Sequence, residues 1–513
     1  MKRIALLLLL ASPLAAASAH QPIRVRIDSG LLEGQRQAGI GSFLGIPYAA
    51  SPAGDHRWRA PQPVRPWPNV REAVRYGADC PQGKGMMPGE TPWTAEYLAD
   101  GPESENCLFL NVWTSATKPG RTLPVLVWIH GGAFSGGAGT MPLYAGHHLA
   151  ARGIVVVTLN YRLGPLGFLA HPALTAEGGD SGNYGLMDQV AALRWLQRNA
   201  PAFGGDPARV TVAGQSAGAA SVSDLLAAPI ARGLFARAII QSGPGMGIDI
   251  PPRAVAETRG EKFMAALGAQ TLEELRRVPL ERLLANVMHP TLGPPGLHFV
   301  PAAGGSFLPN PAMQRPEVPV LAGYTADEAS VGADWNVADA PGLSALLSRR
   351  FGSAAPDFST LYPGNPQAAA RELLRDRALA AMDQWYRSRP TDAAPVYAYL
   401  FSHVPAGSDP AKFGSFHSAE LAYVFGTLEL GGRPFNATDR RIAEEVGAYW
   451  TNFVKTGNPN GEPGSQSLPV WPALSTGQLQ HLGDLTHPAP VMPAHKLAVY
   501  RRFVDGGGAV GMF

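Results

Sequence analysis

Short, continuous apolar segments alternate with helical patterns through most of the chain. Five of these segments have the length and the β-branched content of buried strands: residues 123–129, 154–159, 210–213, 237–241 and 319–323. The clearest helical pattern, residues 186–199, lies between the second and the third segment. Because strands that alternate with helices pair in parallel, the pattern predicts an α/β fold with a central, mostly parallel sheet flanked by helices.

The third apolar segment ends in Gly214-Gln215-Ser216-Ala217-Gly218 and is followed by a helix-compatible stretch, residues 219–228. A sharp strand-to-helix turn exposes a serine hydroxyl to a base, and glycines on both sides relieve the crowding of the backbone. The positive end of the following helix favours negative charge beside Ser216. A Gly-x-Ser-x-Gly string alone arises by chance in a chain rich in Gly and Ala. The strand before it and the helix after it favour a nucleophile elbow.

A glycine-rich loop, His130-Gly-Gly-Ala-Phe134, follows the first apolar segment. Serine hydrolases with such an elbow complete their oxyanion hole with backbone amides from a loop after an earlier strand. Taken alone, the loop is equally well explained as a plain turn. Together with the elbow, it is better explained as the source of those amides.

The elbow and this loop belong to a longer series of motifs that runs nearly from end to end. The others are, in chain order, Phe43-Leu-Gly-Ile-Pro-Tyr48, Arg57-Trp58, and residues 104–113, 160–164, 182–189, 203–207, 241–243 and 453–460. In these motifs and their order, the chain resembles the type-B carboxylesterases, the α/β-hydrolase family that includes carboxylesterases and cholinesterases. The resemblance implies a single catalytic domain, residues 20–513, with helical lid and pocket insertions over about 244–316 and 334–412.

The resemblance also implies which residues complete a catalytic triad. Residues 319–329 are similar to the family segment that carries the acid, which places it at Glu328, and residues 414–426 are similar to the segment that carries the base, which places it at His417. The order Ser216, Glu328, His417 is the order found in α/β-hydrolases.

Other residues compete for these two roles. Asp327, next to Glu328, is an alternative acid, because triad geometry cannot be derived from the sequence. His417 could instead be a structural histidine at the start of a helix, and His130 is then a rival base. His130 lies within the oxyanion loop, so shaping that loop is its more natural role.

By resemblance, the amides of Gly132, Ala133 and Ala217 form the oxyanion hole. The implied reaction is hydrolysis of a small-molecule carboxylic ester through an acyl-enzyme on Ser216, without a metal or a cofactor. An amidase or peptidase using the same triad is one alternative. A non-catalytic binding protein is another, but members that lost the chemistry usually lack a triad residue, and here all three are present.

Two positions depart from the commonest family pattern. Gln215 stands where many relatives carry glutamate, so a preference for cationic substrates is less supported. Ala133 stands where glycine is most frequent. Both positions bear on substrate fit, and neither removes a catalytic group.

The N-terminus has the pattern of a bacterial signal peptide. Lys2-Arg3 precedes an apolar core, residues 4–10, and Ala17-Ser-Ala19 forms an A-x-A cleavage site. We expect cleavage after Ala19 and export to the periplasm or the medium. A retained membrane anchor is the alternative, but the apolar segment is short for a span.

The chain has 42 Lys and Arg residues and 40 Asp and Glu residues. Cleavage of this segment would remove Lys2 and Arg3 and leave 40 basic against 40 acidic residues. The mature chain is therefore balanced in charge. We therefore expect neither a basic stripe that binds nucleic acid nor a charge asymmetry that binds a membrane surface.

The chain has two cysteines, Cys80 and Cys107, at the position of the family's first disulfide loop. A bridge between them fits an oxidising compartment and would stabilise the fold by roughly 3 to 4 kcal/mol. In relatives this loop borders the site entrance. Trp93 and Tyr97 are therefore either entrance residues or ordinary packing residues.

Two further groups of charged or metal-ligating residues are predicted to be structural. The adjacent pair His147-His148 suggests a metal site, but neighbouring side chains on a helix diverge and the sequence shows no third ligand, so we expect a solvent-facing pair. By resemblance, the ion pairs Arg57 with Glu105 and Arg162 with Asp188 stabilise the fold.

Overall fold

The computed structural model describes residues 21–82, 91–116, 122–243, 250–285, 298–310, 317–462, 464 and 468–511. The predicted signal peptide, residues 1–19, lies outside the described residues. Thirteen strands in the described part of the chain join in one sheet. They are β1 (Gln21–Ile27), β2 (Gly30–Gln37), β3 (Ile40–Pro47), β4 (Val70–Glu72), β5 (Phe109–Thr114), β6 (Leu123–Ile129), β7 (Val155–Leu159), β8 (Gly205–Gln215), β9 (Arg237–Gln241), β10 (Val320–Thr325), β11 (Val396–Phe401), β12 (Gln478–Leu482) and β13 (His487–Pro490).

The sheet is parallel in its centre and antiparallel at its edges. The strand order is β1-β2-β3-β5-β7-β6-β8-β9-β10-β11-β12-β13, with β4 pairing beside β2. The seven consecutive strands from β7 to β12 in this order are parallel to one another. Parallel strands end at the same edge, so the segments that follow β6, β8, β10 and β11 meet there.

The α-helices of the described residues cover the sheet and form the insertions. They are α1 (His147–Ala151), α2 (Gly164–Phe168), α3 (Pro172–Gly178), α4 (Tyr184–Asn199), α5 (Ala217–Ala227), α6 (Arg253–Ala266), α7 (Leu272–Arg277), α8 (Leu280–Leu284), α9 (Ala340–Phe351), α10 (Ala355–Ser359), α11 (Pro366–Arg387), α12 (Leu421–Phe425), α13 (Ala437–Thr456) and α14 (Ala494–Asp505).

The five apolar segments of the sequence are all strands of the parallel centre, which confirms the α/β prediction. They correspond to β6, β7, β8, β9 and β10, and the clearest helical pattern corresponds to α4. The strand β8 begins five residues earlier than its apolar segment, because Gly205 already pairs with Leu123 of β6 across a register shift. The elbow therefore follows the longest of the parallel strands.

One part of the predicted insertion over 334–412 belongs instead to the sheet. The apolar segment Val-Tyr-Ala-Tyr-Leu-Phe forms β11, which pairs in parallel with β10 and β12. The helices α9, α10 and α11 precede this strand and make up the inserted part. In the other predicted insertion, 244–316, the described residues form α6, α7 and α8, and residues 244–249, 286–297 and 311–316 lie outside the described residues.

Two apolar cores lie on opposite faces of the sheet. Alternation along β6 sends Val125 and Val127 into one core and Leu126 and Trp128 into the other. The first core also contains residues of α4 and α5, and the second contains residues of α12 and α13. The helix α5, which follows Ser216, and the helix α12, which follows the segment of His417, therefore rest on different faces of one sheet.

The predicted disulfide and both predicted ion pairs are present. Cys80 and Cys107 are bridged, with their Cα atoms 4.9 Å apart. The ion pairs join Arg57 Nη2 to Glu105 Oε1 at 2.5 Å and Arg162 Nη2 to Asp188 Oδ1 at 2.7 Å, and the second pair is buried. Within the described residues, none of the helices combines the length and the apolar character needed to cross a membrane.

Candidate active site

Ser216 occupies a strained turn between β8 and α5. Its backbone lies at φ 58° and ψ −125°, a region that residues with a side chain rarely adopt. A Cβ atom at Gly214 would lie 2.4 Å from the carbonyl of Gly218, and one at Gly218 would lie 2.1 Å from the carbonyl oxygen of Ile129. Both glycines are therefore required by close approach of the backbone, as the sequence pattern predicts.

The elbow is held from both sides by backbone hydrogen bonds. The amide of Ser216 donates to the carbonyl of Gln241 at 3.0 Å, which fixes the turn against the end of β9. The carbonyl of Ser216 accepts from the amide of Ala220 at 2.9 Å in the first turn of α5. These bonds stabilise the strained conformation of Ser216 and place its hydroxyl at the start of a helix, where developing negative charge is favoured.

The oxyanion loop lies directly beside the elbow. A Cβ atom at Gly131 would lie 3.1 Å from Cβ of Ser216. The next three residues, Gly132, Ala133 and Phe134, have φ values of 109°, 54° and 60°. Two of them are not glycine, and each such residue costs about 1–3 kcal/mol, so the surrounding structure must hold the loop in this shape.

Three backbone bonds hold the oxyanion loop. The carbonyl of Gly132 accepts from the amides of Ser135 and Gly136 at 3.0 and 2.9 Å. The carbonyl of Phe134 accepts from the amide of Gly164 at 2.7 Å. The carbonyls of Gly132 and Phe134 are thus occupied by backbone hydrogen bonds that fix the shape of the loop. This geometry supports the predicted use of the Gly132 and Ala133 amides as donors to a substrate.

His417 and Glu328 form a buried pair. His417 Nδ1 lies 2.5 Å from Glu328 Oε2. The other carboxylate oxygen, Oε1, accepts from the hydroxyl of Ser242 at 2.5 Å and from the amide of Thr325 at 2.8 Å. The carboxylate is thus satisfied as an anion by three donors, and its position fixes the tautomer in which His417 carries its proton on Nδ1.

The second imidazole nitrogen of His417 faces the elbow. Nε2 lies 3.1 Å from Nε2 of Gln215, whose amide donates to it when Nδ1 holds the proton. Burial disfavours the charged imidazolium, but the charge of Glu328, its hydrogen bond and the charge of Glu420 outweigh burial and raise the pKa of His417. Gln215, next to Ser216, therefore contacts the imidazole nitrogen that faces the elbow.

The two rival residues lie in other environments. Asp327 pairs with Nη2 of Arg375 at 3.1 Å and accepts from the amide of Ser415 at 2.8 Å, so its carboxylate stabilises the His417 segment through main-chain and arginine contacts. His130 is fully buried and stacks on Tyr161 with ring centroids 4.4 Å apart. Burial lowers the pKa of His130 to about 4, which suits a neutral residue that shapes the oxyanion loop.

Two residues of this site were not singled out from the sequence. Ser242 lies in the 241–243 motif, and its position there is the only signal that could have found it. Glu420, three residues after His417, is fully buried and accepts from Nε2 of Gln241 at 2.9 Å. Burial and the charge of Glu328 raise the pKa of Glu420 to about 7, so a second carboxyl group with a perturbed pKa lies near the imidazole of His417.

Trp93 and Tyr97, from the disulfide loop, contact the segment that carries the histidine. Trp93 Nε1 donates to the carbonyl of His417 at 3.1 Å, and the Tyr97 hydroxyl donates to the carbonyl of Ser418 at 3.3 Å. The ring of Tyr97 also packs edge-on against Phe416. These two side chains therefore hold the segment that carries His417 in position, whether or not they also line the entrance of the site.

Comparisons with known proteins agree with this geometry. The family model described as the carboxylesterase family matches residues 21–388 and 360–497. A fumonisin B1 esterase of Sphingopyxis macrogoltabida is 36% identical over 92% of this chain and 89% of that protein. A para-nitrobenzyl esterase of Bacillus subtilis is 37% identical over 88% of this chain and 92% of that protein. A mouse cholinesterase is 31% identical over 93% of this chain and 85% of that protein.

Solved structures give the same result. A PNB esterase superposes with a TM-score of 0.73 at 33% identity and covers 93% of this chain and 99% of its own. A thermophilic PNB esterase superposes with a TM-score of 0.76 at 33% identity over the same shares. The chain therefore belongs to the carboxylesterase family, and it is an α/β-hydrolase that cleaves carboxylic esters.

Proposed function

We propose that Ser216, His417 and Glu328 are the catalytic triad of this esterase. The observation that carries the proposal is the continuous contact from Glu328 through His417 to the residue next to Ser216, at the edge where the parallel strands end. In the first step the Ser216 hydroxyl replaces the Gln215 amide as the partner of His417 Nε2. The imidazole then takes the hydroxyl proton while the serine oxygen attacks the ester carbonyl carbon.

The remaining steps follow from the same contacts. The amides of Gly132, Ala133 and Ala217 donate to the negatively charged oxygen of the tetrahedral intermediate. The C–O bond to the alcohol breaks, the alcohol leaves with the proton from His417, and an acyl-enzyme ester remains on Ser216. A water molecule then gives its proton to His417 and attacks the acyl carbon, which releases the acid and restores the serine hydroxyl. Glu328 stabilises the imidazolium in both halves of the reaction.

Hydrolysis of a p-nitrophenyl ester series from acetate to palmitate, with wild type beside Ser216→Ala, tests this assignment. The variant should lose about 10⁴-fold or more in kcat, because the attacking atom is removed while the fold is retained. The chain-length profile of the wild type then sizes the acyl pocket. Ser221→Ala, on the same helix α5, is the matched control and should keep its activity. Equal activity of wild type and Ser216→Ala would contradict the assignment.

The neutral side chain beside the nucleophile bears on the substrate class. Gln215 adds no charge there, so we propose an uncharged small-molecule ester as the preferred substrate. The para-nitrobenzyl ester named in the relative from Bacillus subtilis has an uncharged alcohol part and fits this class. An uncharged thioester of the same size as acetylthiocholine should be hydrolysed with a higher kcat/KM than acetylthiocholine. A strong preference for the cationic substrate would overturn this part.

We further propose that the enzyme is exported and that residues 1–19 are removed. The support is the A-x-A pattern at Ala17-Ser-Ala19 together with the Cys80–Cys107 disulfide, which persists in oxidising compartments. Expression of the whole chain in a bacterium, followed by fractionation and N-terminal sequencing, should give periplasmic or secreted protein that begins at His20. Ala19→Arg should block cleavage. Cytoplasmic protein with an intact Met1 or processed only at Met1 would contradict export.

A further inference from the structure

Two histidines and a glutamate converge on the surface, apart from the triad residues. His147 and His148 are the first two residues of the short helix α1, and Glu429 lies in the turn Leu428–Leu430 after α12. One ligand atom from each of the three side chains lies within 4.8 Å of the others. Among the described residues, this is the group of three or more His, Cys, Asp or Glu side chains whose ligand atoms lie close enough together to hold a metal ion.

The convergence corrects the prediction that the two histidine side chains diverge and lack a third ligand. Their ring centroids are 4.1 Å apart. A regular helix separates adjacent side chains by about 100° around its axis, yet the two long side chains at the start of this five-residue helix bring their rings together. Glu429 lies 281 positions after His148 in the chain, so no local sequence pattern could reveal it as the third ligand.

The contacts among these side chains suit metal ligands. His148 Nε2 lies 2.8 Å from Glu429 Oε1, and His147 Nε2 lies 3.9 Å from the same oxygen. A neutral imidazole offers a nitrogen lone pair and a carboxylate offers a charged oxygen, and both are usual zinc ligands.

The surroundings leave room for an ion and do not repel it. His148 and Glu429 line a surface cavity of about 750 Å³. Three arginines line the same cavity. Arg152 is paired with Glu444 at 2.6 Å and Arg433 with Glu96 at 3.4 Å, and Arg440 donates to the carbonyl of Phe435 at 3.3 Å. The side chains of His147, His148 and Glu429 are 43%, 43% and 53% exposed, so each can shift and an ion can enter from solvent.

We propose that His147, His148 and Glu429 bind one Zn²⁺ ion. Two imidazole nitrogens and one carboxylate oxygen form a common zinc ligand set, with the remaining coordination position open to water from the cavity. At metal–ligand distances of about 2.0–2.2 Å, tetrahedral ligand atoms lie about 3.4 Å apart. The observed separations of 2.8 and 3.9 Å bracket this value, so binding needs only small rotations of exposed side chains.

Occupancy of this site would join α1 to the turn after α12. The Cβ of His148 already packs 3.2 Å from the position that a Cβ at Gly426 would take, at the end of α12. A metal ion that binds only the folded chain stabilises it by mass action. The ligand set contains none of the proposed triad residues, so the ion is a structural addition and takes no part in the ester chemistry.

Calorimetric titration of tag-free, metal-stripped protein with ZnCl₂ tests the proposal, with thermal unfolding as a second readout. We expect one Zn²⁺ per chain and a higher Tm in its presence. His148→Ala and Glu429→Gln should each weaken binding at least tenfold and lose the Tm increase, while their metal-free Tm values show that they fold. Co²⁺ in place of Zn²⁺ should give the visible absorption of a tetrahedral site.

Two control variants make the result decisive. His481 and His487 form another neighbouring pair, with ring centroids 4.9 Å apart, and His487→Ala should leave Zn²⁺ binding unchanged. His417→Gln removes the imidazole of the proposed active site and should also leave Zn²⁺ binding unchanged. The proposal is wrong if no stoichiometric binding occurs, if His148→Ala and Glu429→Gln bind as tightly as wild type, or if His417→Gln or His487→Ala abolishes binding.

Discussion

At the scale of single residues, Gln215 sets the electrostatic environment of the proposed base. Its amide contacts His417 Nε2 at 3.1 Å and carries no charge. The imidazole therefore has one anionic hydrogen-bond partner, Glu328, on the Nδ1 side and a neutral one on the side of the nucleophile. A second anion at position 215 would stabilise the imidazolium directly at the atom that must accept the serine proton.

Gln215→Glu should move the acidic limb of the pH profile of kcat/KM to higher pH. The wild-type environment already raises the pKa of His417, and the added carboxylate raises it further, so the base stays protonated and inactive over a wider acidic range. Activity should be several-fold lower at pH 6 and recover as the pH rises above the new pKa. Gln215→Met, which removes the amide without adding charge, should lack this shift. An unchanged profile for Gln215→Glu would show that the residue does not act on the base.

Sequence reasoning could not assign the remaining residues that surround the base. Ser242 and Glu420 are an ordinary serine and an ordinary glutamate in the printed sequence. Their environment depends on strands and loops that converge from distant positions, which bring Ser242 to Glu328 and Gln241 to Glu420. Burial and hydrogen bonding are tertiary properties, so only motif position could have drawn attention to either residue.

At the scale of elements, the oxyanion loop shows which glycines are irreplaceable. Gly132 has φ 109°, and a Cβ there would lie 2.2 Å from the carbonyl oxygen of Gly136. Ala133 has φ 54° and already carries a side chain in a strained conformation. The same loop therefore contains one position that excludes alanine and one that tolerates it.

Gly132→Ala should lower kcat by about 10²–10³-fold, the effect of losing one oxyanion donor, because the loop must move away from the position that aims its amide. Ala133→Gly is the matched change at the next residue and should keep kcat within a few-fold, since it relieves the positive φ and keeps the amide. Steady-state kinetics with a p-nitrophenyl ester measures both. Full activity of Gly132→Ala would remove this loop from the oxyanion hole.

The elements themselves were predictable where one physical signal dominated. Strands of the parallel centre are buried on both faces, so they are continuous apolar segments in the sequence, and all five predicted ones are present. β11 was missed because residues 334–412 were interpreted as one insertion on family resemblance, although Val396–Phe401 has the same apolar character. The helix α11 within the same range extends over Pro366–Arg387, with Asn365 capping its start.

At the scale of the whole molecule, the disulfide connects the stability of the fold to the geometry of the site. The bridge closes the loop that carries Trp93 and Tyr97, and both of these side chains donate to carbonyls of the segment that carries His417. The loop therefore supports the base from outside the sheet, in addition to the support that Glu328 gives from within it.

The double variant Cys80→Ser/Cys107→Ser should lose roughly 3–4 kcal/mol of unfolding free energy on the chain-entropy model. It should also show a lower kcat with a smaller change in KM, because the donors to the His417 segment are less well held. Denaturant unfolding and steady-state kinetics measure the two effects. Trp93→Phe keeps an aromatic side chain and the disulfide but removes the N–H donor to the carbonyl of His417. It therefore separates the effect on kcat from the effect on stability and should lower kcat alone. Unchanged kcat in both variants would limit the loop to a stabilising role.

The strand order also determines when, during synthesis, this enzyme first becomes able to react. The nucleophile elbow and the oxyanion loop are complete once β9 has been made, yet the base follows β11, and β11 pairs with β12, which spans Gln478–Leu482. Such long-range pairing forms late and slowly. A nascent chain therefore carries Ser216 for about 200 residues of synthesis before His417 is made. The order of the strands along the chain thus separates the synthesis of the proposed nucleophile from the synthesis of its proposed base.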